Sequence, residues 1–123
     1  MRRWLLVLIL VSLLGLNGCS KSINFNGKSQ FWRVGCTVQL SAKTKSYVIQ
    51  YIGNKDQPIT DVSFRFNDSK NFENSGKSDS HSRNLKMSGK STLDTPYLDE
   101  TNFTLYIKWN DQEETIQLTK EDS

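Results

Sequence analysis

The sequence predicts an all-β domain of sandwich type, and three observations carry that expectation. Apolar and polar residues alternate with period two over residues 32–40, 62–66 and 103–109, which is how half-buried strands read. Clusters of Gly, Asn, Asp, Ser and Pro separate these stretches at short intervals, as turns do. No window sustains a 3.6-residue apolar period with helix caps at its ends.

In chain order, residues 20–28 (SKSINFNGK) are short and polar with a turn signal at Asn26-Gly27, and they read as a tether. Residues 31–40 follow as a strand with Trp32, Val34, Cys36, Val38 and Leu40 on one face. After a polar turn at 41–45, residues 47–52 are aromatic and β-branched on both faces and belong centrally in a sheet. Turn chemistry at 53–58 ends that strand. Residues 59–66 alternate, with Val62, Phe64 and Phe66 facing inward. Residues 67–82 form a long polar loop whose single apolar anchor is Phe72; a loop of that length in a compact domain is uncommon and is either mobile or functional.

Leu85 and Met87 mark a short strand at 84–87, residues 88–91 read as a turn, and Pro96 confines 93–98 to an edge or corner. The clearest hairpin closes the chain. Phe103, Leu105, Ile107 and Trp109 oppose Thr104, Tyr106 and Lys108, residues 110–113 turn, and Ile116 and Leu118 return inward. Six to eight short strands at such spacing fit an immunoglobulin-like β-sandwich better than a closed barrel, over a domain spanning 29–123.

Upstream lies a segment of different character. Arg2 and Arg3 precede an apolar run from Trp4 to Leu16, broken by Ser12 and Gly15, which reads as the charged and hydrophobic regions of a secretory signal over residues 1–18. The run is shorter than the ~20 residues a spanning helix needs. It ends in Leu16-Asn17-Gly18-Cys19. This LNGC resembles the lipobox of bacterial lipoproteins. The resemblance implies a diacylglyceryl group on the Cys19 sulfur, cleavage between Gly18 and Cys19, and an anchor at the outer face of the cytoplasmic membrane. Two acyl chains hold stably where one is marginal.

Motifs within the domain point the same way. Phe25-x-Gly27-x-Ser29-x-x-Trp32, Tyr51-Ile52-Gly53, Pro58-Ile59-x-Asp61-Val62, Ile107-x-Trp109 and Glu114-Thr115-Ile116-x-Leu118 resemble small uncharacterised lipoproteins of Gram-positive bacilli with an immunoglobulin-like domain. The likeness covers most of residues 25–118 in order, and its motifs are structural. It implies a membrane-tethered sheet protein and brings no activity with it. Some members carry a late cysteine pair that this chain lacks.

Removing residues 1–18 leaves 123 − 18 = 105 residues, with 16 − 2 = 14 basic against 13 acidic side chains. That near-neutral count gives no polybasic argument for nucleic acid. A catalytic set is also missing. His81 is the only histidine and sits among Ser78, Asp79, Ser80 and Ser82 in one loop, whereas a triad draws its members from separate elements. Cys36 shares a face with Trp32 and Val38, where burial makes a thiol inert. Copper is disfavoured because His81, Cys36 and Met87 lack a second histidine.

These readings predict no enzyme and no cofactor or resident metal. They predict a binding module at the cell envelope, its partner an envelope protein, a transporter subunit or a wall polymer. The alternative is a calcium- or ligand-binding lipoprotein using the loop carboxylates Asp94, Asp99 and Glu100, or Asp111, Glu113 and Glu114. Tyr47, Tyr51, Tyr97, Tyr106 and Phe31 are the candidate surface aromatics.

Overall fold

The computed structural model describes residues 21–56, 58–79 and 82–122. The signal segment and the Gly18–Cys19 junction lie outside the described residues, as does His81. Eight strands are present and no helix occurs among the described residues: β1 (Ser22–Lys28), β2 (Trp32–Gln39), β3 (Thr44–Tyr51), β4 (Val62–Asn67), β5 (Ser75–Ser78), β6 (Lys86–Thr92), β7 (Asn102–Trp109) and β8 (Gln112–Lys120). All pairings are antiparallel, in the order β5-β4-β7-β8-β1-β2-β3-β6.

The ladder is continuous, so no break divides it into two sheets. Instead the sheet curls until its halves face each other. Tyr47 on β3 meets Phe64 and Phe66 on β4 with ring centroids 5.4 and 5.6 Å apart, although those strands share no ladder. Trp32 on β2 likewise meets Trp109 on β7 at 5.4 Å. The core lies between the halves, with Phe25, Val34, Val38, Ile49, Leu105, Ile107 and Leu118 fully buried.

Alternation explains the strands that the sequence makes plain. β2 and β7 bury every second residue from Trp32 to Val38 and from Phe103 to Trp109, because one face packs while the other meets water. The β7–β8 turn is a two-residue hairpin with Asn110 and Asp111 at φ 44° and 62°. Positive φ at both central positions gives the twist that matches the strands, and Asn and Asp tolerate it.

Three segments depart from expectation. Residues 20–28 are not a tether beyond Lys21: from Ser22 they form β1, which pairs with β2 along its whole length and with β8 through Phe25 and Asn26. Residues 88–91 are not a turn but the middle of β6, and β5 runs through the stretch read as loop. One physical reason covers all three strands, since each carries a glycine facing inward where bulk is supplied by a neighbour. A Cβ on Gly89 would lie 2.6 Å from the Tyr47 ring, one on Gly76 would lie 2.8 Å from Phe64, and one on Gly27 would lie 2.5 Å from the Gln117 carbonyl oxygen. Strand glycines commonly mark such close approaches.

The rest of the expected loop is a cap. Phe72 is 1% exposed and stacks on Phe103 at 5.4 Å with an interplanar angle of 19°, while also contacting Phe25 and Phe66. Leu40, expected inward, falls just past the end of β2 and is exposed.

Candidate functional site

Strand direction gives the molecule two ends. β1, β3, β5, β7 and the turns around them place Lys21, residues 40–43, 68–74, 93–101 and 120–122 at one end, where β1 begins. The turns 29–31, 52–56 and 110–111, with the approach to β4 at 58–61, form the other.

The β1-start end is closed by a polar cap. Glu100 is 7% exposed, and its carboxylate accepts from the Ser69 hydroxyl at 2.8 Å, the Lys70 amide at 2.8 Å and the Asn71 side-chain amide at 2.7 Å. Asn71 also donates to the Leu98 carbonyl and accepts from the Leu98 amide. The Lys45 ammonium donates to the Asn71 carbonyl at 2.6 Å and lies over the Phe72 ring. This network binds the 68–72 segment to the 98–100 segment and to β3. Burying a carboxylate is tolerable because its lone pairs are occupied.

The loop carboxylates considered for calcium fall at two separate ends of the molecule. Glu100 is spent on the cap. Asp99 pairs with Lys120 at 3.1 Å, a contact that raises the lysine pKa. Asp111, Glu113 and Glu114 stand at the opposite end, the length of β7 away, and Glu113 accepts from the Tyr106 hydroxyl at 2.6 Å. No group of three metal-ligating side chains forms among the described residues.

The other end carries the arrangement best suited to holding a ligand. A notch of about 270 Å³ is lined by Phe31, Tyr51, Ile59 and Trp109 and rimmed by Asn54, Asp56, Asn110 and Gln112. Three aromatics reach it because each stands where a strand starts or stops: Phe31 just before β2, Tyr51 at the end of β3 and Trp109 at the end of β7. Phe31 packs against Trp109 at 5.6 Å. The rim is fixed from below. The Tyr51 hydroxyl donates to the Asn54 carbonyl, Asn54 and Asp56 bond each other through side chain and backbone, and Arg83 donates to the carbonyls of Lys55 and Asp56. Asn110 accepts from the Thr60 amide and hydroxyl, both at 2.9 Å.

Chemically the notch pairs the half-buried Phe31 ring, over a floor made by the buried Tyr51 and Trp109, with amide groups and one carboxylate, and no cation lines it among the described residues. Amides offer donors and acceptors together, and the Asp56 carboxylate accepts from hydroxyls. A neutral molecule with hydroxyls around a carbon ring matches such a set; an anion does not.

The remaining candidates separate cleanly. Cys36 is free and 1% exposed, and burial drives its thiol pKa far upward. Among the aromatics, Tyr51 is 6% exposed, so it is a core residue and not a surface one, and Tyr47 packs inward on Phe64 and Phe66. Tyr106 does face outward, under the Arg65 guanidinium at 5.0 Å. Sequence reasoning named Phe31 and Tyr51 without joining them and missed Asn54, Asp56 and Gln112 as rim groups. Asn and Asp in turns adjoining aromatic strand ends were the available signal. Compared with models of known protein families, with curated proteins and with solved structures, the chain matches none.

Proposed function

We propose that the protein is a membrane-tethered extracytoplasmic lipoprotein, acylated on Cys19, and that it serves as a non-catalytic binding module whose distal notch takes a saccharide unit of a wall polymer. The observation that carries the reading is the placement of the two ends. β1 starts at Ser22, three residues after Cys19, so an acylated sulfur holds the β1-start end within roughly 10 Å of the headgroups. The aromatic notch then points away from the bilayer, into the envelope. Within this reading the curled sheet is an immunoglobulin-like module, its two facing halves standing for the two layers of a sandwich.

The test has two arms. Mass spectrometry of the mature protein is expected to find a diacylglyceryl group on an amino-terminal Cys19, with the protein in the membrane fraction. An unmodified thiol there removes the anchor. Titration with soluble fragments of wall polysaccharide is expected to quench tryptophan fluorescence, and Asp56→Ala with Gln112→Ala is expected to abolish the effect. Equal quenching in that variant removes the notch from the reading.

A further inference from the structure

β1, β2, β3 and β6 contain no Asp or Glu at all. Of the chain's 13 acidic residues, only Glu113 and Glu114 lie in strands, and both are on β8. The outward positions of the acid-free strands carry Lys28, Arg33, Lys86 and Lys90, all exposed. Register sets three of them in one line across the sheet, since Lys28 pairs with Arg33, Arg33 with Gln50 and Gln50 with Lys86. At ~4.8 Å between strands this row spans about 15 Å. The next rows are Asn26, Gly35, Val48 and Ser88, then Asn24, Thr37, Ser46 and Lys90.

None of these four cations is engaged by an ion pair among the described residues. Of the cations elsewhere, Lys45 is held by a carbonyl, Arg65 by the Tyr106 ring, Arg83 by two carbonyls and Lys120 by Asp99, while Lys77 and Lys108 on the other half of the sheet are, like these four, without an ion pair among the described residues. The one carboxylate reaching the face is Glu121, which accepts from the Asn26 amide at the margin of a shallow depression beside Lys28 and Arg33. Lysines on an edge strand guard against edge pairing, which accounts for Lys86 and Lys90 on β6. It does not account for Lys28 and Arg33, which stand on the interior strands β1 and β2.

We propose that this face binds an extended, phosphate-bearing polyanion laid across the strands along Lys28, Arg33 and Lys86. Charge complementarity selects a polyanion. The face offers no outward aromatic ring on which bases could stack, since Phe25, Trp32, Tyr47 and Tyr51 all turn inward, so a nucleic acid strand lacks its usual platform. The row lies at the end of β1 remote from Ser22, six residues or about 20 Å along the strand. Given the anchoring proposed above, a bilayer meets the other end, and the row is reached by a soluble polymer above the membrane.

The probe is long-chain inorganic polyphosphate, titrated into the full mature protein in uncharged detergent. The expected result is binding that weakens about twenty- to fiftyfold between 50 and 200 mM salt, as three or four contacts that release counterions on a single-stranded polyanion require. The variant K28Q/R33Q/K86Q is expected to bind at least tenfold more weakly, with an unchanged melting temperature. The control K77Q/K108Q, altered on the other half of the sheet, is expected to bind as the parent does. Equal binding by the parent and the triple variant overturns the proposal. So does a preference for phosphatidylglycerol vesicles over polyphosphate that the triple variant loses. The face needs no acyl group, so mass analysis of Cys19 and this titration fail independently.

Discussion

Replacing Glu100 by Gln tests whether the cap is held by a buried carboxylate for structural reasons. Gln keeps the shape and one acceptor oxygen. If that oxygen turns toward Ser69 and Asn71, it retains both of their bonds, and the new NH2 group faces the Lys70 amide, donor against donor. The opposite orientation loses two bonds. It also sets an NH2 against a Ser69 hydroxyl oxygen that already accepts from the amides of Asn71 and Phe72. The first arrangement is therefore favoured, and it forfeits one hydrogen bond to a charged group, worth about 1.5–3 kcal/mol. E100Q is expected to lose about 2 kcal/mol in urea unfolding followed by the fluorescence of the buried Trp32 and Trp109. E100A, which loses all three bonds, is expected to lose more. Neither loss should depend on added calcium or chelator. A cost for E100Q below about 0.5 kcal/mol, or a stability that tracks calcium, refutes the account of the cap.

Other outcomes follow from the same structure. Burial raises the Cys36 pKa above its ordinary 9.0, so the folded protein keeps a proton that the unfolded chain releases. Stability is therefore full below about pH 8.5 and falls above it by up to about 1.4 kcal/mol per pH unit, and Cys36→Val should flatten that slope in denaturation at pH 8, 9 and 10. Gly89→Ala, which drives a Cβ into the Tyr47 ring, should cost about 1–3 kcal/mol. Much of that should return in the Tyr47→Leu background, as a double-mutant cycle would show. Glu121→Gln removes the only carboxylate touching the cationic face while leaving Asn26 an acceptor, and it should tighten polyphosphate binding a few-fold with a steeper salt dependence.

Legibility in the sequence followed where the bulk of each strand came from. β2, β4, β7 and β8 were plain because each carries its own large inward residues, such as Trp32, Phe64, Leu105 and Leu118. β5, and β6 beyond Met87, were hidden because their inward positions are small and are filled from across the ladder, by Phe64 over Gly76 and Tyr47 over Gly89. A window along one strand cannot register bulk donated by another. β1 was hidden for a related reason: Asn26-Gly27 has the composition of a turn, yet Gly27 is there so that β8 can pass close by. Phe72 was visible as an anchor, but its partners Phe25, Phe66 and Phe103 lie on three different strands. The notch was least visible, because Phe31, Tyr51 and Trp109 converge only once the register of β2, β3 and β7 is known.

Net charge misled for a similar reason, since a sum discards position. Fourteen basic and 13 acidic side chains nearly cancel beyond residue 18, and that balance gives no polybasic argument for nucleic acid while saying nothing of where the charges lie. The fold sorts the two signs by secondary structure, however. Carboxylates concentrate in loops and turns, where Asp and Asn accept positive φ, as Asp61, Asp68 and Asp111 do here. Lysine and arginine spread over the outward faces of strands, where their long stems cover the sheet and their heads reach water. At physiological ionic strength charges separated by more than about 8 Å are largely screened from one another. The potential over Arg33 is thus set by the charges nearest to it, Lys28 and Glu121 first, and not by the sum over the whole chain, which is how a nearly neutral domain can present the face proposed above for an anionic polymer.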